Sequence, residues 1–391
     1  MRVWEFGAMT AAGVLTPLTQ SDSASAQQPA AASEAVKIPR LDGPALVREL
    51  GLIESPRPVR DLIPGWTRPR KILVSVDDNP ERLAWWQEAA PGVTLLPART
   101  VEEAVKLAPQ ADAMVGFGNL CTSAVLKAAR QVKWAHFNKA GLQDCIGDAE
   151  LQSGRMMVSN MQRVFGNEIA NTVMAYALAL SRGLDGAMRY QLQGKWGRNV
   201  APPERLFEIQ GRTMLVVGLG GIGTNVAKYA HAMGMKVIGT RNSSREKPDF
   251  VDYVGLSDEL PGLIGQADIV VNATPLTPQT MRLFNKAMFA RMKKSALFIS
   301  VGRGQSTVTQ DLIDALKDGT IAGAGLDVTD PEPLPDGHPL FFAPNVIITP
   351  HMATAGAGQQ GPEAWAVLRE NLRRYVAGEK ILNVVNIKAG Y

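Results

Sequence analysis

The sequence predicts an α/β protein made of two doubly wound parallel-sheet domains, and three observations lead there. From Arg70 onward, short apolar runs alternate with helix-period stretches, the pattern of a parallel sheet covered by helices. The alternation comes in two blocks, the second running from Gly211 to about residue 350. A length of 391 residues, 46% apolar and 20% charged, favours two globular domains over one.

The first forty residues stand apart. One early Arg2, a weakly apolar stretch from Gly7 to Leu18 and the small tripeptide Ala24-Ser25-Ala26 precede a Gln/Pro/Ala-rich run. That order predicts a secretory signal ending at Ala24-Ser25-Ala26, a linker that completes the segment 1–44, and an exported, periplasmic protein once the signal is removed. The alternative is an Ala/Ser-rich extension on a cytoplasmic protein. No later run reaches the ~20 apolar residues of a membrane span, and a formal charge of +4 is too small to point to nucleic acid or an anionic membrane. Cys121 and Cys145 lack metal-site spacing and read as free thiols or as one disulfide, with no metal expected.

In the first block, "KILVSV" (71–76), "VTLLPA" (93–98), "AMVGFG" (113–118) and "KWAHFN" (133–138) read as strands. Helical stretches lie near 80–89, 100–108 and 121–130. Residues 164–182 are apolar on nearly every face, so a long helix buried between layers or subunits is expected. In the second block "RTMLVVG", "MKVIGT", "ADIVVNAT", "ALFISVG", "GAGLDV" and "NVIITP" are the strands, and Pro362 opens an amphipathic helix carrying Trp365, Leu368, Leu372 and Tyr375.

Gly218, Gly220 and Gly223 form G-x-G-x-x-G between the first strand and first helix of that block, with Gly221 and Ile222 inside the motif. The first glycine permits the tight turn, the second a close approach of backbone to a diphosphate, and the third close helix packing. A dinucleotide is therefore the expected ligand. The end of the next strand normally carries an acid for the adenosine ribose, yet this chain has Thr240, Arg241 and Asn242 there, followed by Ser243 and Arg245. A carboxylate would repel a 2′-phosphate, whereas Arg241, Ser243 and Arg245 offer it charge and donors. NADP(H) is the predicted coenzyme, with NAD(H) as the alternative if the turn is only a solvated basic one.

Arg303, Glu332 and His351 stand at the ends of predicted strands. Taken singly they read as a turn, a Pro-rich loop and a strand-end hydrogen bonder. The segments that hold them, "SVGRGQSTVTQDLIDAL" and "GAGLDVTDPEPLPDGHPLFFAPNVIITPH", together with "VVGLGGIG", "VNATPLTPQT" and "ENLRRYVAGEKILNVVN", resemble the D-isomer-specific 2-hydroxyacid dehydrogenases in order and spacing over about residues 70–388. The resemblance implies that Arg303 binds the substrate carboxylate and keto oxygen, that His351 is the acid/base and that Glu332 orients it. It extends the coenzyme contacts to Thr274, Pro275, Val301 and Gly302. Asp327 is assigned to the nicotinamide side, with a structural strand-end acid as the alternative.

The residue types suit that chemistry. Reducing a 2-oxo acid puts a hydride on the keto carbon and a proton on its oxygen, so the site needs an anion anchor and a proton donor. Arg303 can hold a planar carboxylate with two bonds, and Glu332 beside His351 favours the imidazolium.

"KWAHFNKAGLQD" resembles the substrate loop of the glyoxylate and hydroxypyruvate reductase branch, which implies that the backbone at Ala140 and Gly141 meets the substrate carboxylate. Lys139 stands where a small residue is usual and Gln143 where Asp is usual. Lys139 reads as a solvated loop residue or as an attractor for a second anionic group. The resemblance further implies a Rossmann coenzyme domain (185–354) inserted in a flavodoxin-like substrate domain (45–184 plus 355–391), a homodimer, and a small 2-oxo or 2-hydroxy acid as substrate. Two rival readings share the fold. A formate or phosphite dehydrogenase is disfavoured by Glu332 where formate dehydrogenases carry Gln. A nucleotide-sensing binding protein with secondary turnover is the other.

Overall fold

The computed structural model describes residues 43–75, 80–116, 120–142, 144–242, 244–354 and 361–388. The signal-like segment and linker expected over 1–44, apart from the last two residues, lie outside them, as do Gln143 and Ser243.

Five short strands form the first sheet: β1 (Lys71–Ser75), β2 (Thr94–Ala98), β3 (Ala113–Gly116), β4 (Trp134–Phe137) and β5 (Met157–Asn160). All pair in parallel in the order β2-β1-β3-β4-β5. This is the flavodoxin-like order, with its reversal of direction between β1 and β3. Strands buried on both faces read as continuous apolar runs, and "KILVS" and "AMVG" do so because helices cover each side. On one of these faces the Pro362–Ala377 helix lays down Trp365, Leu368, Leu372 and Tyr375. Tyr375 stacks on Trp134 at 4.5 Å between ring centroids, and Trp86 meets Trp365 at 5.6 Å. Burying each such side chain contributes roughly 1.5–3 kcal/mol, which ties the end of the chain to a sheet built from residues 71–160.

The second sheet has seven parallel strands: β6 (Thr213–Val217), β7 (Lys236–Arg241), β8 (Tyr253–Leu256), β9 (Ile269–Asn272), β10 (Leu297–Ser300), β11 (Gly323–Leu326) and β12 (Val346–Ile348). Their order is β12-β11-β10-β9-β6-β7-β8. Direction reverses between β6 and β9, and ligands of such sheets bind beyond the carboxyl ends of the strands at that point. The protein is thus an α/β molecule with two doubly wound parallel sheets.

The apolar stretch at 164–182 is the helix Gly166–Ser181. Its Ala170, Val173, Tyr176 and Leu180 pack with Met214, Val216, Leu297 and Ile299 of the second sheet, so its near-uniform apolarity is satisfied within the chain. The expected domain boundary at 184 left this helix with the first sheet, whereas its core contacts join it to the second. Further on, Arg205 and Asp185 form a buried pair at 2.8 Å, which fixes the segment after that helix. Among the described residues no helix is long and apolar enough to cross a membrane.

Candidate active site

The glycine turn after β6 shows why each glycine is required. Gly218 has φ +96°, and a Cβ at Gly223 would lie 2.1 Å from the Gly218 carbonyl oxygen, where the helix Gly221–Ala232 presses on the turn. Above Gly220 nothing stands within 4 Å, leaving space for a ligand at the first turn of a helix whose free amides and dipole favour an anion. Thr240 on β7 receives the turn, its Oγ1 accepting from Gly218 N at 3.3 Å and its carbonyl from Leu219 N at 2.9 Å.

At the end of β7, the Arg241 Nε is buried and has no hydrogen-bond partner. A buried donor without an acceptor costs about 1–3 kcal/mol, and an anionic ligand would remove that cost. These residues therefore fit the diphosphate and ribose end of a dinucleotide. Asn242 is exposed beside Arg241. Arg245 departs from the expectation. Its guanidinium pairs with Glu259 at 2.6 Å and reaches the Tyr253 hydroxyl at 3.3 Å, so its charge is already balanced by groups at the neighbouring edge strand.

A cavity of about 200 Å³ joins the two blocks. Ala140 and Gly141 line it from the loop after β4, and Gly220, Gly221 and Ile222 from the glycine turn. Thr274, Pro275, Gly302 and Arg303 line it from the turns after β9 and β10. Val301 is 5% exposed and belongs to the apolar core behind that wall. Lys139 is not part of the lining. Its ammonium is held by Asp144 at 2.6 Å, a contact that the loop spacing did not announce.

A buried polar network supports the wall. Asn272, at the end of β9, donates to Ser306 Oγ at 2.7 Å and Ser300 Oγ at 3.1 Å, and accepts from the Thr274 hydroxyl at 2.7 Å. Ser306 in turn donates to the Arg303 carbonyl at 2.6 Å. Sequence reading missed Asn272, Ser300 and Ser306; a polar residue ending an otherwise apolar strand was the available signal. Asn160 was missed likewise. At the end of β5 it donates to the Ala140 carbonyl at 2.6 Å and so holds the loop after β4.

Arg303 is half-buried, with Nη1 donating to the Gly302 carbonyl at 2.8 Å. Burial lowers its pKa from the ordinary guanidinium value, against the opposing pull of Glu332 and Asp144. Glu332 is thus electrostatically coupled to Arg303 although 29 positions separate them in the sequence (332 − 303). Its other neighbour is His351, whose Nδ1 lies 2.5 Å from Glu332 Oε1. With Nδ1 committed to the carboxylate, Nε2 is the ring nitrogen left to exchange a proton with a ligand.

His351 sits at φ +51° in a tight turn. Asp327 holds that turn. Its carbonyl accepts from His351 N at 2.9 Å, and its carboxylate accepts from Met352 N at 2.8 Å, Ala353 N at 3.1 Å and the Thr349 hydroxyl at 2.6 Å. The Tyr176 hydroxyl, whose pKa burial pushes up to about 12, joins Thr349 to the Leu326 carbonyl. Asp327, placed by sequence on the nicotinamide side, has both carboxylate oxygens engaged by the His351 turn. Among the described residues no group of three or more His, Cys, Asp or Glu could hold a metal. Cys121 and Cys145 are disulfide-bonded, closing a separation of 24 residues that includes β4 and the loop after it.

A family model described as D-isomer specific 2-hydroxyacid dehydrogenase, NAD binding domain, matches residues 174–353. The glyoxylate reductase of Korarchaeum cryptofilum is 31% identical over 323 residues, spanning 81% of this chain and 93% of the relative. The chain belongs to the D-isomer-specific 2-hydroxyacid dehydrogenase family. As a member of that family it is an NAD(P)-dependent oxidoreductase acting on CH–OH groups. Another relative, glyoxylate/hydroxypyruvate reductase B of Klebsiella pneumoniae, is 31% identical over 258 residues, or 66% of this chain and 79% of that one. The crystal structure of a D-isomer specific 2-hydroxyacid dehydrogenase from Xanthobacter autotrophicus in complex with NADPH and MES superposes with a TM-score of 0.68 at 27% identity. That superposition covers 83% of this chain and all of the neighbour. Within the family motif, Arg303, Glu332 and His351 are the residues whose roles the resemblance carries over.

Proposed function

We propose that this dehydrogenase reduces a short 2-oxo acid of the glyoxylate or hydroxypyruvate type to its D-2-hydroxy acid, with NADP(H) preferred over NAD(H). The observation that carries the reading is the His351–Glu332 pair at 2.5 Å coupled to Arg303, which itself lines the cavity shared with the glycine turn.

Reduced nicotinamide, when bound, supplies the hydride. Arg303 anchors the substrate carboxylate with paired N–H donors, helped by the backbone at Ala140 and Gly141. His351 delivers the proton from Nε2 to the keto oxygen, and Glu332 keeps the ring oriented and stabilises its charged form before transfer. The reverse reaction needs the neutral ring. Thr274, Pro275, Val301 and Gly302 shape the coenzyme side of the cleft. The coenzyme preference rests on Arg241, buried at Nε without a partner, at the strand end where an acid would select NAD.

Initial rates with NADPH and NADH across glyoxylate, hydroxypyruvate, pyruvate and bulkier 2-oxo acids test both parts. Arg241→Asp is expected to lower the preference for NADPH by about 10- to 100-fold, the worth of a charged hydrogen bond at about 1.5–3 kcal/mol. An unaltered NADPH/NADH ratio in that variant contradicts the assignment.

A homodimer and export complete the proposal. The helix Leu184–Leu192 presents Leu184, Met188 and Leu192 to solvent at four-residue spacing, and Trp196 follows at 95% exposure. Such a contiguous apolar stripe favours a protein partner. The Cys121–Cys145 disulfide suits an oxidising compartment, and recovery of the protein solely from the cytoplasmic fraction of its host contradicts export.

A further inference from the structure

We propose that Arg163, which comes from the loop between the two sheets, is a ligand of the coenzyme diphosphate and closes the site opposite the glycine turn. The proposal rests on the dinucleotide reading of that turn and adds a residue to it.

Arg163 follows β5 and precedes the helix Gly166–Ser181. It lines the cavity together with Gly220, Gly221 and Ile222. A Cβ placed on Gly221 would fall 2.6 Å from Arg163 Cγ and 2.9 Å from its Cα. Glycine at 221 is therefore what lets the Arg163 loop sit directly against the first turn of the helix Gly221–Ala232, where a diphosphate is received. Arg163 has φ +74°, a conformation that residues with a Cβ adopt at a cost and that clusters at functional sites.

The charges point the same way. Among the described residues the Arg163 guanidinium makes no hydrogen bond or ion pair, and the Arg241 Nε is buried without a partner. Burial first, and then the charge of Arg241, lowers the Arg163 pKa. Two uncompensated cations from different parts of the chain thus repel each other beside an open glycine turn. A ligand carrying several negative charges relieves that repulsion, and a dinucleotide phosphate supplies them. Arg241 stands at the ribose end, where only a 2′-phosphate distinguishes the two coenzymes. Arg163 stands over Gly221, where the diphosphate is common to both.

This division of labour sets the test. Dissociation constants of NADPH, NADH and ADP are measured by titration calorimetry on the wild-type protein, Arg163→Gly and Arg241→Asp, with glycine chosen because it suits the left-handed backbone. Arg163→Gly is expected to weaken all three ligands about tenfold or more and to reduce the salt dependence of binding, while Arg241→Asp weakens NADPH selectively. Arg163→Asn, also tolerated at positive φ, serves the same measurement if the glycine variant does not fold. Unchanged constants for NADPH and NADH in either Arg163 variant overturn the proposal, as does a loss confined to NADPH. Failure of the underlying dinucleotide reading looks different, because the wild-type protein then binds none of the three.

Discussion

At the scale of single residues, burial decides which polar groups are free to act. His136 on β4 is fully buried, with Nδ1 2.7 Å from Ser159 Oγ and 3.1 Å from Asn371 Nδ2. Desolvation lowers its pKa to about 3. The unfolded chain binds this proton near pH 6.5 and the folded one near pH 3, so stability is full above 6.5 and declines as pH falls between those values. At pH 5 the loss is about 2 kcal/mol. Thermal melts of wild type and His136→Asn between pH 7 and 4.5 check this; equal slopes against pH contradict it. The sequence showed His136 only as part of an apolar strand, because one-dimensional pattern does not reveal which histidine is sealed. That Glu332 lies beside His351 and acts on Arg303 was legible through the motifs around them, whereas the pairing of Arg245 was not. Its partner Glu259 lies beyond β8, and the sequence gives no spacing rule for that contact.

At the scale of elements, the His351 turn, proposed to carry the acid/base group, is held by a strand end rather than by its own neighbours. Asp327 directly follows β11 and accepts, through its carboxylate, three donors from the turn after β12. Replacement by Ala leaves two amides and a hydroxyl without an acceptor, which costs about 2–4 kcal/mol and releases the His351 turn. Asp327→Ala is expected to lower both Tm and kcat while leaving the dissociation constant of the coenzyme within a few-fold. A normal kcat in a destabilised variant shows that the turn keeps its geometry unaided. Most strands and helices were visible as apolar runs and helical periods. Two strands were not: β5, "MVSN", and β8, "YVGL", each with only two consecutive apolar residues, too few to separate from loop. The first matters, since β5 places Asn160 under the loop of Ala140 and Gly141.

At the scale of the whole molecule, two parallel sheets bring their loops to one cavity, and chain order alone does not show which loops meet. The two alternating blocks predicted the sheets; the encounter of Ala140 and Gly141 with the glycine turn depends on the crossing helix Gly166–Ser181, which sequence had left between layers or subunits. The exposed stripe of Leu184, Met188, Leu192 and Trp196 is the surface expected to bury itself in a second copy. Replacing Trp196 by Glu is expected to shift the mass measured by light scattering from dimer to monomer at micromolar concentration. An unchanged mass places the contact elsewhere.

The most direct measurement follows one hydrogen. NADPH carrying deuterium at both C4 positions of the dihydronicotinamide is incubated with the protein and glyoxylate, hydroxypyruvate or pyruvate, and the products are read by NMR. Deuterium is expected at C2 of the 2-hydroxy acid, with chiral products of D configuration, and the transfer is expected to fall by about 10²–10⁴-fold in His351→Asn. Coenzyme that binds but delivers no label to any 2-oxo acid contradicts the proposed reduction.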